Sequence, residues 1–200
     1  MKNFIVLVLG RKGSGKTFYV KNKLLPLLNR YIVIDILNEY DGYCVTDFLQ
    51  LMDAVDQGKQ KIICKFEDDL DTAFAFEFIW ELRNITLVLE EIDLHADSRS
   101  IDPILEKLIK YGRHHNLNLI GICRRPYELN TIFRSQADSL VTFQQHEIRD
   151  LEYLVKTFDA NPQLIKYLDG HESITLRADP ETLIKDLTNT PEKSRFLGRE

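Results

Sequence analysis

The octapeptide GRKGSGKT, Gly10 to Thr17, sets glycine, lysine and a hydroxyl at the spacing of a loop that cradles a nucleoside triphosphate. Triphosphate charge is met by consecutive backbone N–H groups, and a glycine-rich chain can turn these inward at close range. Gly10, Gly13 and Gly15 supply that backbone. Lys16 is placed to reach the β- and γ-phosphates as a point charge, and Thr17 offers a hydroxyl to Mg²⁺. Arg11, Lys12, Ser14 and Phe18 complete the stretch expected around the nucleotide. ATP and Mg²⁺ are therefore the expected ligands.

Phosphate binding does not separate a kinase from a hydrolase, and the segment ITLVLEEID, Ile85 to Asp93, bears on that choice. It reads as an apolar strand ending in two carboxylates. In such an arrangement the first acid, Glu90, holds Mg²⁺ through its water shell and the second, Glu91, polarises the attacking water. Aspartate is the commoner first acid, and the extra methylene of Glu90 shifts its reach; Asp93 is a second candidate for the metal. Acids after a strand also simply begin solvated loops. The phosphate loop upstream is what turns the reading towards hydrolysis.

Arginines supply the remaining candidates. Arg124 and Arg125 follow the strand-like run that ends at Cys123, where a cation senses a γ-phosphate or carries transition-state charge. Arg113 lies in YGRHH, at the end of a helical pattern. It either complements the helix dipole beside a capping Gly112, or is donated as an arginine finger to a neighbouring subunit; the two roles are compatible. His114 and His115 are adjacent, so they point in different directions and suit joint metal ligation poorly.

The elements that must position these residues alternate. Strand-like runs are expected at Phe4–Leu9, Tyr31–Ile36, Lys61–Phe66, Ile85–Leu89, Leu117–Cys123 and Ser139–Phe143. Helical periods fall between them, at Thr17–Leu28, Asp47–Asp56, Asp69–Leu82, Ile101–Tyr111 and Tyr127–Gln136. Continuous apolar strands alternating with helices predict an α/β fold with a mostly parallel central sheet flanked by helices on both faces. The carboxyl ends of parallel strands converge on a ligand crevice, which would bring the loop, the glutamates and Arg124 together. Pro26 is expected to kink or shorten the first helix near Leu25. Further on, helices at Glu147–Phe158 and Pro162–Leu168, a strand at Glu172–Arg177 and a final helix at Asp179–Leu187 are expected. Phe74, Phe76, Phe78 and Trp80 read as core with a possible partner contact.

With 200 residues, 44% of them hydrophobic, the chain suits one domain, here residues 1–187 with a core of 4–145, followed by a polar tail at 188–200. Cys44, Cys64 and Cys123 are scattered in apolar runs and suggest neither disulfides nor zinc, which fits a reducing cytoplasm. No apolar stretch approaches the roughly 18 residues of a membrane span. The net charge of −5 argues against a globally basic nucleic-acid coat. Its distribution is uneven: Glu67 to Asp97 holds ten acids against Arg83, whereas Lys107 to Arg134 holds six bases against Glu128. The second segment is expected to carry an electropositive surface.

GRKGSGKT, YIVIDILNEY, TLVLEEID, KYGRHHNLNLIGICRRP and ADSLVTF, in that order and spacing, resemble the HerA/FtsK superfamily of P-loop ATPases. Within it, the size is similar to the genome-packaging ATPases of tailless viruses with internal membranes. The resemblance implies a three-layer P-loop NTPase fold of RecA/ASCE type and a homo-oligomeric ring, a hexamer by preference, that hydrolyses ATP between subunits and moves double-stranded DNA without regard to sequence. It also implies a capsid vertex or portal as partner, and a place in the host cytoplasm or the virion. Lys16, Thr17, Glu90 and Glu91 match the family's phosphate, metal and water-activating positions, and Arg113 falls where a trans-acting arginine is expected. Arg124 stands where many relatives carry a polar sensor, often glutamine. Two other classes fit the loop: a nucleotide or metabolite kinase, whose GxxGxGK[ST] spacing is also satisfied, and a non-motor phage assembly ATPase related to the zonula occludens toxin family. An arginine-rich lid is missing for the first, and a transmembrane segment for the second.

Overall fold

The computed structural model describes residues 4–177. They form one eight-stranded sheet in the order β3-β4-β2-β5-β6-β1-β7-β8. The strands are β1 Ile5–Leu9, β2 Tyr31–Ile34, β3 Tyr43–Val45, β4 Lys61–Cys64, β5 Ile85–Leu89, β6 Leu117–Cys123, β7 Ser139–Thr142 and β8 Ile174–Arg177. All pairs are parallel except β7 with β8. Six strands lie where apolar runs predict them, and β8 completes the sheet as an antiparallel edge. The short β3 has no counterpart in the apolar pattern because only Val45 of its three residues is buried.

Alternate strand residues feed two cores, as burial on both faces requires. Leu7, Leu9, Ile32, Ile34, Leu87 and Leu89 belong to the core that also takes side chains of α2 Phe48–Asp56, α3 Asp69–Glu81, α4 Pro103–Tyr111, α5 Thr131–Gln136, α6 Ile148–Phe158 and α7 Pro162–Lys166. Val8, Val33, Val88, Ile120, Ile122 and Val141 meet Val20, Leu25 and Tyr40 on the other face. Side-chain oxygens of Asp47, Asp68, Asp102 and Asn130 accept from the first free amides of α2, α3, α4 and α5, which fixes where those helices begin.

Three expectations are corrected. The run Thr17–Leu28 is not one helix: α1 spans only Lys16–Tyr19, and Val20–Leu24 continues as a π-helical turn before a 3₁₀ turn at Leu25–Leu27. Pro26 lacks an N–H and crowds the preceding carbonyls, so the regular ladder fails ahead of it. The run Tyr127–Gln136 is likewise a 3₁₀ turn at Pro126–Glu128 and then α5 alone. Gly112 does not cap α4 in a left-handed conformation; its φ is −55° and the chain continues as a 3₁₀ turn to His115, with Asn116 taking the left-handed place at φ 55°. The expected helix at Asp179–Leu187 and the tail at 188–200 lie outside the described residues.

Of the aromatic run, only Phe76 is buried in the core. Phe74 and Phe78 pack on Phe48 of α2, and Trp80 stacks on His115 at 4.1 Å between ring centres.

Candidate active site

Leu9 of β1 pairs with Cys123 of β6, and Leu89 of β5 pairs with Gly121 of the same strand. The chain therefore leaves β1 at Gly10, β5 at Glu90 and β6 at Arg124 along one edge of the sheet. Because β6 separates the other two strands, their tips stand about 10 Å apart, two inter-strand spacings. That gap has room for a phosphoryl group and a water. Arg124 emerges in its middle.

On the β1 side, Gly15 opens α1 with φ 97°, a left-handed conformation in which a side chain would be strained. A Cβ there would also lie 3.0 Å from Nδ1 of His171, so that imidazole packs against the loop. The Lys16 ammonium donates to the Arg11 carbonyl at 3.2 Å. Burial lowers its pKa, and Glu91 and Glu90 oppose that shift. Ser14 Oγ is buried without a hydrogen-bond partner among the described residues. An orphaned hydroxyl inside the loop fits a missing phosphate oxygen. Arg11, Lys12 and Phe18 are exposed around it.

Glu90 is 2% exposed, and the equally buried Tyr40 donates its phenol to Oε1 at 2.5 Å. Burial pushes the Glu90 carboxyl up to about 7, and hydrogen bonds from Tyr40 and Thr17 work against it. Tyr40 is itself oriented by Asp35, whose buried carboxylate accepts from the backbone N–H groups of Glu39 and Tyr40 at 3.0 and 2.9 Å. The Thr17 hydroxyl and the Glu90 carboxylate thus meet at one point. Such a pair of hard oxygen donors suits Mg²⁺, which takes few protein ligands and completes its shell with water and phosphate. Asp93 sits in the next turn, Ile92–Leu94, with a buried Oδ1 that finds no partner among the described residues.

Glu91 adopts φ 45°, a costly backbone for a side-chain-bearing residue and a mark of functional sites. The turn points its carboxylate towards β6, where Arg124 donates to Oε1 at 3.1 Å. Arg125 turns the other way. Its Nε donates to the fully buried Asp150 of α6 at 2.8 Å, and the Tyr127 N–H reaches the second oxygen of that carboxylate at 3.2 Å. The buried Gln145 donates to the Arg124 carbonyl at 3.1 Å, steadying the same turn.

Arg113 is exposed in the 3₁₀ turn that precedes β6, at the opposite edge of the sheet. The length of β6 separates it from Arg124 by about 20 Å, so it lies outside the site of its own chain. The six bases between Lys107 and Arg134 are not gathered into one electropositive surface. Arg113 and Arg124 occupy opposite edges, while Lys110, Arg124 and Arg125 are neutralised by Glu106, Glu91 and Asp150.

Tyr40, Asp35, Gln145 and His171 are the members of the site that the residue pattern did not single out as functional. Only the acidic and aromatic turn after β2, with Asp35, Glu39 and Tyr40, carried a signal.

The parallel sheet, the loop after β1, the acids after β5 and the arginine after β6 together define a P-loop ATPase of the HerA/FtsK type. More particularly, the Poxvirus A32 protein family profile matches residues 1–178, and the chain belongs to that family. Solved structures agree. The genome packaging NTPase B204 from Sulfolobus turreted icosahedral virus 2, in complex with AMPPCP, superposes with a TM-score of 0.74 at 26% identity, covering 88% of this chain and 92% of that one. Its complex with ATP-gammaS gives 0.73 at 25% identity, covering 88% and 92%. B204, the DNA-packaging ATPase from Sulfolobus turreted icosahedral virus, shares the fold with a TM-score of 0.71 at 23% identity, covering 89% and 94%. No match was found among curated proteins by sequence.

Proposed function

We propose that this chain is an ATP-hydrolysing motor that drives double-stranded DNA into a viral capsid. The observation that carries this reading is the Glu91 carboxylate at the tip of β5, turned by a left-handed backbone towards Arg124 and the gap in front of the phosphate loop. B204 is a genome packaging NTPase solved with ATP analogues, and the same chemistry fits here. As water attacks, its oxygen bonds to the γ-phosphorus, its proton passes to Glu91, and the bond to the ADP oxygen breaks. Lys16 neutralises charge on the phosphates, and Arg124 orients Glu91. Thr17 and Glu90 are the residues that would hold Mg²⁺, which supplies further charge neutralisation when bound.

The motor acts as a head-to-tail homo-oligomeric ring, a hexamer by preference, at a capsid vertex in the host cytoplasm or on the virion. Arg113, remote from its own site, serves the site of the next copy. Contacts to DNA are to phosphates, hence independent of sequence and steeply weakened by salt. No helix among the described residues is long and apolar enough to cross a membrane.

Replacing Glu91→Gln tests the assignment. Turnover should fall at least about a hundredfold, with binding of an ATP analogue and of DNA retained. Normal DNA-stimulated ATP turnover in that variant would overturn it.

A further inference from the structure

On the face of the sheet opposite α1, helices α2, α3, α4 and α5 pack side by side in that order, and α6 follows against the turn Pro126–Glu128. Two parts of this row have contrasting chemistry. Between α2 and α4, α3 turns outward Leu70, Phe74, Glu77 and Glu81, whose spacing of four, three and four aligns them in a stripe. Leu70 is 62% exposed and Phe74 48%. Arg83 is the one Lys or Arg between Glu67 and Asp97, and Lys107 of α4 lies over the Trp80 ring of α3 at 3.9 Å.

Beyond α4, the helices α5 and α6 and the turn Pro126–Glu128 border an open cavity of about 420 Å³ whose lining includes Arg134, Arg149, Lys156, Tyr127 and Tyr153. Cations outnumber acids there three to one, and the one acid, Glu152, is already engaged by Lys156 at 3.7 Å. The Arg149 guanidinium lies over the Tyr127 ring at 4.9 Å, and that of Arg134 over Tyr153 at 5.2 Å. Arg134 Nε is buried and has no hydrogen-bond partner among the described residues. The guanidinium groups of Arg134 and Arg149 and the Lys156 ammonium line the depression, and a carboxylate is the guest that complements them. Tyrosine rings beside it offer apolar surface to a guest that is part acid and part hydrocarbon.

We propose that this cavity is a socket for the acidic stripe of α3 from a second copy of the chain. Charge and apolar content match: Glu77 and Glu81 meet Arg134, Arg149 and Lys156, while Leu70 and Phe74 meet the tyrosine rings. The two surfaces are different patches of one molecule, so the contact is heterologous, head-to-tail. A contact of that kind propagates into a ring when its rotation closes, which a two-fold pairing cannot do. The socket rests on the oligomeric reading above and gives it an interface. DNA phosphate is the competing occupant of a cationic cavity, and the test separates the two.

The full chain is followed by sedimentation velocity at near-physiological salt, with an ATP analogue, for three variants: Glu77→Lys with Glu81→Lys, Arg149→Glu with Lys156→Glu, and all four together. All four sites are exposed, and circular dichroism checks folding. Each pair alone should weaken self-association at least about tenfold, because like charges then face each other. The fourfold variant should assemble again, since both partners are reversed. Unchanged assembly in either pair, or no recovery in a folded fourfold variant, overturns the socket while leaving the ATPase reading intact. Loss of duplex DNA binding in Arg149→Glu with Lys156→Glu, with assembly unchanged, assigns the cavity to DNA and overturns it equally. A wild-type chain that stays monomeric removes the ring reading together with the socket, whereas DNA-stimulated turnover tests the motor separately.

Discussion

The Tyr40 phenol donates to Glu90 Oε1 at 2.5 Å, tying the turn after β2 to the tip of β5. Both side chains are almost wholly buried; burial has the larger hold on how readily Glu90 carries charge, and the hydrogen bond from Tyr40 comes next. Burial raises the carboxyl to about 7, and the phenol counteracts that rise. Removing the phenol in Tyr40→Phe therefore lifts the Glu90 pKa further. A protonated carboxyl is a poor partner for Mg²⁺, and the charged form is lost as pH falls through the pKa. At neutral pH the Mg²⁺ concentration for half-maximal turnover should rise roughly tenfold, the worth of one hydrogen bond to a charged group. The acid limb of the pH profile should move to higher pH, with near-normal turnover at alkaline pH. An unmoved acid limb would show that Tyr40 is only a packing residue.

Arg124 separates orientation from binding. It contacts Glu91 and no residue of the phosphate loop by hydrogen bond, so its truncation should spare nucleotide affinity. For Arg124→Ala, kcat should drop by roughly a hundredfold while the Kd of an ATP analogue changes less than about threefold. Stopped-flow or calorimetric binding beside steady-state kinetics measures the split. Equal losses in the two would make Arg124 a binding residue instead.

Much of this was legible in the sequence for physical reasons that can be named. Parallel strands buried on both faces appear as continuous apolar runs, which is why β1, β5 and β6 and the three chemical motifs at their ends could be placed. Arg124 and Arg125 look alike in sequence. They are told apart only by Asp150, a carboxylate 25 positions away that α6 brings within 2.8 Å of Arg125. Tyr40 stands in an acidic turn that carried a signal, but its role was not legible: its partner Glu90 lies 50 positions away, and nothing local to a buried tyrosine distinguishes a donor to a distant carboxylate from a core ring. Pro26 announced that the first helix breaks, but the π-helical form of the turn ahead of it and the right-handed conformation of Gly112 are not features that propensity reports.

Gly121 tests how tightly β6 is held beneath the site. A Cβ at this position would come within 2.7 Å of Phe133 Cζ and 2.8 Å of Ile92 Cδ1, both core side chains. The variant Gly121→Ala should lose about 1–3 kcal/mol of stability, the usual range for overpacking. Ile92 directly follows Glu91, so the displacement should also reduce turnover. Adding Phe133→Leu removes the ring that makes the closest contact and should recover part of the lost stability. Chemical denaturation of the three chains measures this, and a Gly121→Ala chain as stable as wild type would mean that the core yields more easily than the packing implies.

Arg113 can act only on a site that another chain presents, because the full length of β6 keeps it from its own. Two inactive chains should then complement each other. Lys16→Ala lacks the phosphate-binding lysine but keeps its arginine, and Arg113→Ala lacks the arginine but keeps its loop. Each alone should turn over ATP at least about a hundredfold more slowly than wild type. When equal amounts are mixed and allowed to exchange, about one interface in four joins an intact loop to an intact arginine, as random head-to-tail pairing requires. Turnover of the mixture should rise to about that fraction of wild type, more than tenfold above either parent. A structural role for Arg113 in its own fold gives no such recovery, since mixing cannot repair a chain that carries its defect alone. Activity of the mixture that stays at the average of the two parents would therefore exclude Arg113 as the trans-acting arginine.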